Sequence, residues 1–163
     1  TSPAKPSRLR EAVAGVDFKR ISHHLGDELA VRPPYYSQRN FGSSALEWCY
    51  VAAGRLDVYI HGGQMLWDYA AGRLILEEAG GSYSSLGGTP LTAGPAIKRS
   101  VIAAASPALF EQWRTWLHAH AERAQPRTPT FGTAMSIKHP IIVVTGSSGA
   151  GTTTVKHTFE GIF

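Results

Sequence analysis

A chain of 163 residues is one ordinary domain, or one domain with a short appendage. Its 43% hydrophobic and 17% charged residues supply enough apolar material for a packed core and exclude a disordered chain. The net charge of +4 comes without a long basic run, so no nucleic-acid partner is expected. The single cysteine, Cys49, excludes an internal disulfide framework and fits a reducing compartment. The longest apolar runs are far too short to cross a bilayer, and no basic start with an apolar centre marks a signal. The expected location is cytoplasmic, with no membrane partner.

The opening, Thr1–Arg10, is polar and proline-bearing. From Ser44 to Gly54 the spacing predicts a helix whose inner face holds Leu46, Cys49, Tyr50 and Ala53, with Gly54 as its stop. Asp57–Ile60 reads as a short strand. A second helix is expected over Trp67–Ala79, closed by Gly80-Gly81. Ser82–Leu86 and Ser100–Ala104 read as further strands, and Ser106-Pro107 should cap a third helix, Pro107–Ala121. Its stripe of Leu109, Phe110, Trp113, Trp116 and Leu117 is a core face rather than a stacking platform for bases, because no basic residues are interleaved. The fold class is therefore α/β, with helices layered on a sheet. Residues 123–134 read as a linker, since Gln125–Thr133 carries Pro126, Pro129 and Gly132 without periodicity. Beyond it Pro140–Thr145 is a short apolar run typical of a buried parallel strand.

Asp68 falls at the start of the second helix, where exposed N–H groups and the dipole favour negative charge. The same place suits a phosphate or a metal-bound phosphate. Read from the residues alone, Asp68 is either such a site or a plain helix-start carboxylate. The other histidines build no rival: His23-His24 are neighbours, and His118 and His120 do not share a helix face. No Gly-x-Ser-x-Gly elbow is present for a serine hydrolase.

The segment Trp67-Asp68-Tyr-Ala-Ala-Gly72, continuing to Glu77-Glu-Ala-Gly-Gly81, is very similar to the second signature of the inositol monophosphatase family. Arg39-Asn-Phe-Gly-Ser-Ser-Ala-Leu46, Val51–Asp57 and Lys98–Ala105 resemble the flanking family segments in the same order. The resemblance covers about 7–120 and corresponds to the carboxy-terminal half of such enzymes. It implies a layered sheet-and-helix sandwich half-domain over 1–122 and a Mg²⁺-dependent phosphatase acting on small phosphate monoesters, inositol or sugar phosphates.

Carried over residue by residue, the resemblance makes Asp68 a metal ligand, a role that suits a carboxylate oxygen and a hard cation. Gly42, Ser43 and Ser44 match a substrate-contacting segment. His61 stands where inositol-specific members carry a glutamate for the sugar hydroxyls; it is a substrate residue of another kind or a loop histidine without a role. The aspartates are Asp17, Asp27, Asp57 and Asp68, and no two have the Asp-x-x-Asp spacing of the family's first-half loop. Glu77 and Glu78 lie about 14–15 Å along the helix from Asp68, too far to share its metal. Asp68 is thus expected to stand as a lone ligand, with Mg²⁺ weak and the chain inactive alone. A small phosphate ester is the expected partner, and a homodimer is left open.

The last segment, 135–163, holds Gly146, Gly149, Gly151, Thr152 and Thr153 in a strand–loop–helix context that suits phosphate binding. Thr152 stands where the usual loop has lysine. Met135–Lys156 looks like the opening of a bacterial phosphoribulokinase, which has threonine there too. The chain therefore reads as the end of one enzyme joined to the beginning of another. Two alternatives stand beside the phosphatase fragment: an ATP-binding phosphoribulokinase piece, and a non-catalytic fusion chain that only dimerises or folds on a partner.

Overall fold

The computed structural model of the protein describes residues 6–92 and 98–121. The expected linker and the expected phosphate loop with Gly146, Gly149, Gly151, Thr152 and Thr153 lie outside the described residues.

Among the described residues five strands form one mixed sheet in the order β2-β1-β3-β5-β4. They are β1 (Val13–Asp17), β2 (Ser37–Arg39), β3 (Val58–Met65), β4 (Ser82–Ser84) and β5 (Lys98–Ala104). β1 runs parallel to both β2 and β3, whereas β5 is antiparallel to β3 and β4. Among the described residues four α-helices cover the sheet: α1 (His23–Val31), α2 (Ser44–Ala52), α3 (Leu66–Glu78) and α4 (Pro107–Ala121). Side chains alternate across a strand, so each central strand feeds two cores. Val58, Ile60, Ile102 and Ala104 pack with Leu25 and Leu29 of α1 and Leu109, Trp113 and Leu117 of α4. Tyr59, Val101 and Ala103 pack with Trp48 and Val51 of α2 and Tyr69 and Leu76 of α3. The result is a helix–sheet–helix sandwich, as the sequence pattern predicts.

Asp57 is a structural residue, fastening the start of β1 to the start of β3. Its carboxylate accepts the Val13 N–H at 2.7 Å, and its own N–H donates to the Val13 carbonyl at 2.8 Å. At the far end of α3 the N–H of Gly81 reaches the Leu76 carbonyl and that of Gly80 the Glu77 carbonyl, both at 2.9 Å. This left-handed closure places Gly80 at φ 77°, a conformation costly for a residue with a Cβ.

Three expectations need correction. The helix α2 buries Glu47, Trp48 and Val51, not Leu46, Cys49, Tyr50 and Ala53; Leu46 is 39% exposed. The polar residue lies inward because it finds partners there, so hydrophobicity alone gave the wrong phase. β3 continues past Ile60 to Met65, with a register shift between His61 and Gln64 where Gly62-Gly63 break the pleat. Finally, the expected stripe of α4 is buried except at Trp116, which is half-buried and stacks between Trp113 and His120.

Candidate functional site

The carboxyl ends of the parallel strands β2, β1 and β3 share one edge of the sheet, the usual location of ligands in such sheets. The chain leaving each strand there is rich in small or charged residues. β1 ends in Asp17 and runs into a single 3₁₀ turn, Phe18–Arg20; β2 leads through Asn40–Ser43 into α2; β3 leads directly into α3. These ends enclose a cavity of about 230 Å³, lined by Asp17, Lys19, Arg20, Gly42, Ser44, Glu47, His61, Gly63, Met65 and Asp68. Two helix N-termini, those of α2 and α3, therefore open on one space with their unpaired N–H groups.

Each carboxylate is held by a donor behind it. Asp68, in the first turn of α3, accepts the Met65 N–H at 2.9 Å through Oδ2. Asp17 accepts the Lys19 N–H at 2.8 Å through Oδ1 and approaches His61 Nε2 at 3.2 Å through Oδ2. Glu47 accepts the Phe41 N–H at 3.0 Å. A buried polar chain lies behind Glu47: the Trp48 indole donates to Gln64 Oε1 at 2.8 Å, and Gln64 Nε2 donates to the Tyr59 hydroxyl at 2.6 Å. That hydroxyl in turn bonds to Glu47. Burial raises Glu47 above its ordinary value, opposed by the Phe41 N–H and the Tyr59 hydroxyl, while Asp17 adds to the rise. Burial, with Glu47 next, likewise drives the Tyr59 phenol upward, so it stays protonated and donates.

His61 is fixed at both ring nitrogens. Gly63 N–H donates to Nδ1 at 3.0 Å, so Nδ1 is the acceptor and Nε2 carries the proton that faces Asp17. Burial lowers its pKa from 6.5; Asp17 and Asp68 pull it up, Arg20 and Lys98 push it down. The imidazole is thus neutral at pH 7. The turn that brings Asp17 and Arg20 here lies across the bulge of β3, where a Cβ on Gly62 would collide with the Arg20 carbonyl. Only glycine permits that approach.

Of the site residues expected from sequence, the structure brings Gly42, Ser44, His61 and Asp68 to one cavity. Ser43 is exposed just before α2, where its carbonyl accepts the Glu47 N–H at 3.0 Å. Asp68 does not stand alone, because Asp17 and Glu47 line the same cavity. Both are more than twenty residues from Asp68 in sequence, beyond the reach of a spacing argument. A weak signal was present for Glu47, an acid in the first turn of a predicted helix. Even so, among the described residues no three His, Cys, Asp or Glu side chains are grouped closely enough to hold a metal ion.

A mixed sheet between two helix pairs, with acids and helix N-termini meeting at the ends of its parallel strands, defines an α/β sandwich protein. Residues 7–125 match the profile of the Inositol monophosphatase family, and the chain belongs to that family. Inositol-1-monophosphatase of Bacillus subtilis (strain 168) is 32% identical over 123 residues, covering 72% of this chain and 45% of its own length. Inositol monophosphatase-II from Staphylococcus aureus MSSA476 superposes with a TM-score of 0.64 at 30% identity, over 75% of this chain and 47% of that one. Mycobacterium tuberculosis SuhB superposes with a TM-score of 0.56 at 35% identity, over 72% and 44%. The chain thus spans about half the length of these relatives. Separately, 29 residues are 90% identical to phosphoribulokinase of Xanthobacter flavus, covering 18% of this chain and 10% of that enzyme. Among the described residues no helix is long and apolar enough to cross a membrane.

Proposed function

We propose that 1–122 forms the carboxy-terminal portion of a Mg²⁺-dependent phosphatase site for small phosphate monoesters. The observation that carries it is the convergence of Asp68 with the N-terminus of α2, at Gly42 and Ser44, on one cavity. A phosphate there meets N–H groups and a positive helix end. The donors fit Mg²⁺ in kind, since Asp17, Glu47 and Asp68 offer hard carboxylate oxygens. They fit poorly in number: both oxygens of Asp17 are already engaged, and one of Asp68 is. Asp68 would hold the ion through its second oxygen, and Ser44 would lie beside the ester. Mg²⁺, when bound, supplies charge stabilisation and an activated water. The chain's own contribution is to orient the ester and to keep Glu47 buried and Asp17 fixed.

With so few oxygens, Mg²⁺ binds weakly and phosphate release from sugar or inositol monophosphates is expected to be negligible. Phosphorus NMR of inorganic phosphate with Mg²⁺ should still show binding that Asp68→Asn weakens about ten-fold, the loss of one charge-assisted contact. Absence of any phosphate binding would reject the reading. Mg²⁺-dependent turnover that disappears in Asp68→Asn would falsify the inactivity. A second reading rests on the 29-residue match to phosphoribulokinase: 135–163 is a separate nucleotide-loop segment with Gly146, Gly149, Gly151, Thr152 and Thr153 at its loop. Titration with ATP tests it, and a Kd below about 1 mM that Gly149→Val abolishes would favour it.

A further inference from the structure

Behind the cavity wall donors and acceptors follow one from another, starting from a group with no choice. The Trp48 indole only donates, so the Gln64 atom it meets at 2.8 Å is the amide oxygen. The Gln64 amide hydrogens then face the Tyr59 hydroxyl at 2.6 Å. Tyr59 has one proton of its own, and it goes to the Glu47 carboxylate. Ser44, which opens α2 and lines the cavity, meets the same hydroxyl. With the Tyr59 proton engaged at Glu47, Ser44 is the donor in that contact, and its lone pairs are left for the cavity. Turning the Ser44 proton outward would set its lone pairs against those of Tyr59, two acceptors with no hydrogen between them. The groups behind Ser44 are fixed in place. Trp48, Tyr59 and Gln64 are fully buried. A Cβ on Gly15 would stand 2.9 Å from Tyr59 Cδ2, and one on Gly72 would collide with Trp48 Cβ, so β1 and α3 close on the two rings. The rings meet edge to face, their centroids 6.0 Å apart.

We propose that Ser44 is a specificity-determining residue that accepts a hydrogen bond from a hydroxyl on the alcohol half of the ester, and that Tyr59 is the positioning residue that fixes this polarity. The inference rests on the phosphate-ester reading above. The oxygens of a phosphate dianion are acceptors, so an oriented Ser44 has no proton to give them. A hydroxyl close to the ester oxygen carries the proton that Ser44 lacks. An ester without one leaves the Ser44 oxygen out of water and without a partner, which costs affinity. Tyr59 touches no ligand; it acts through Ser44.

Titration calorimetry of the full chain with glycerol 2-phosphate and with isopropyl phosphate, the same skeleton without hydroxyls, at pH 8 and fixed Mg²⁺ tests the proposal. The parent should bind the glycerol ester about three- to ten-fold tighter, the effect of one neutral hydrogen bond. Ser44→Ala should bring the two esters within about two-fold of each other. Tyr59→Phe should do the same, because the Ser44 proton is then released to rotate. The double variant should add nothing to either single change, as expected of two residues acting through one contact. Thermal melts verify folding of each variant. Carbon NMR of Tyr59 Cζ gives a second reading with Tyr59 left in place, since removing the Ser44 donor must move its resonance. Equal affinities in the parent, a preference that survives Ser44→Ala, or an unmoved Tyr59 resonance would overturn the proposal and leave the phosphate reading standing. A preference that survives Tyr59→Phe would overturn the positioning role. No binding of either ester would reject the phosphate reading, and this inference with it.

Discussion

On the side of the sheet that packs α1 and α4, the buried layer is Leu25, Leu29, Ile60, Ile102, Leu109, Trp113 and Leu117. Its polar atoms close locally: the Tyr35 hydroxyl on Gln38 Oε1 at 2.7 Å and the Leu29 carbonyl at 3.1 Å, the Trp113 indole on the Tyr59 carbonyl at 3.1 Å. On the side that packs α2 and α3, the same depth contains Glu47 and Gln64, 2% and 0% exposed. There the hydrogen bonds run in sequence from Trp48 through Gln64 and Tyr59 toward Glu47 and the cavity. A buried polar group is tolerated only when satisfied. Among the described residues the longest such run borders the cavity, where under the reading proposed above it orients the site, and the opposite face is mainly apolar.

That contrast can be broken by substitution. The largest effect should come from the apolar face: Trp113→Ala empties a fully buried site and should cost about 3–5 kcal/mol in urea unfolding. Phosphate affinity of the molecules that remain folded should not change. A parallel loss of affinity would mean that the two faces are not separable.

Gln64→Leu is the matching change on the other face. It keeps the volume roughly constant but strands the Trp48 indole and leaves the Tyr59 hydroxyl without the Gln64 donor, for about 1–3 kcal/mol. Here phosphate binding should weaken as well, because Glu47 loses its ordered support. Destabilisation without any effect on binding would reduce the polar chain to packing.

The smallest effect is pH-dependent and belongs to His61. Its folded pKa is lowered, so on acidification below 6.5 the unfolded chain takes up a proton that the folded site refuses. Stability from this group is full above that value and falls as pH drops toward the folded pKa. Melting temperature should therefore decline between about pH 7.5 and about pH 5.5, and His61→Asn should flatten the decline. Glu47 works with the opposite sign, since its raised pKa makes the folded state hold a proton that the unfolded chain releases above 4.5. An unaltered slope in His61→Asn would assign the acid sensitivity elsewhere.

Much of this was legible in the residues. Trp67–Ala79 as a helix opening on Asp68 and stopping at Gly80-Gly81 agrees with α3 to within a residue at each end, because caps and glycine closures are local chemistry. The third helix with its Ser106 cap agrees too, the Leu109 N–H meeting Ser106 Oγ at 3.4 Å. The stretch before Ser44 gave no element, although β1, α1 and β2 lie there. β1 is Val-Ala-Gly-Val-Asp, too short and too poor in large side chains to stand out, and it is a strand because β2 and β3 flank it. Ser22 with Leu25 and Leu29 at helical spacing did carry a signal for α1, and Ser22 Oγ accepts the Leu25 N–H at 3.3 Å.

The sequence by itself determined the layered α/β class, the helix that presents Asp68, and the resemblance that the family match bears out, since these depend on periodicity, caps and contiguous motifs. Only the tertiary structure decided the company Asp68 keeps. Asp17, Lys19 and Arg20 arrive from the end of β1, Gly42 from the approach to α2 and Glu47 from its first turn, and Lys98 from β5. Parallel pairing puts the carboxyl ends of β1, β2 and β3 on one edge, whatever their separation along the chain. The inward turn of Glu47, against what its charge suggests, was settled by the same means: the Phe41 N–H and the Tyr59 hydroxyl exist as partners only after the chain has folded.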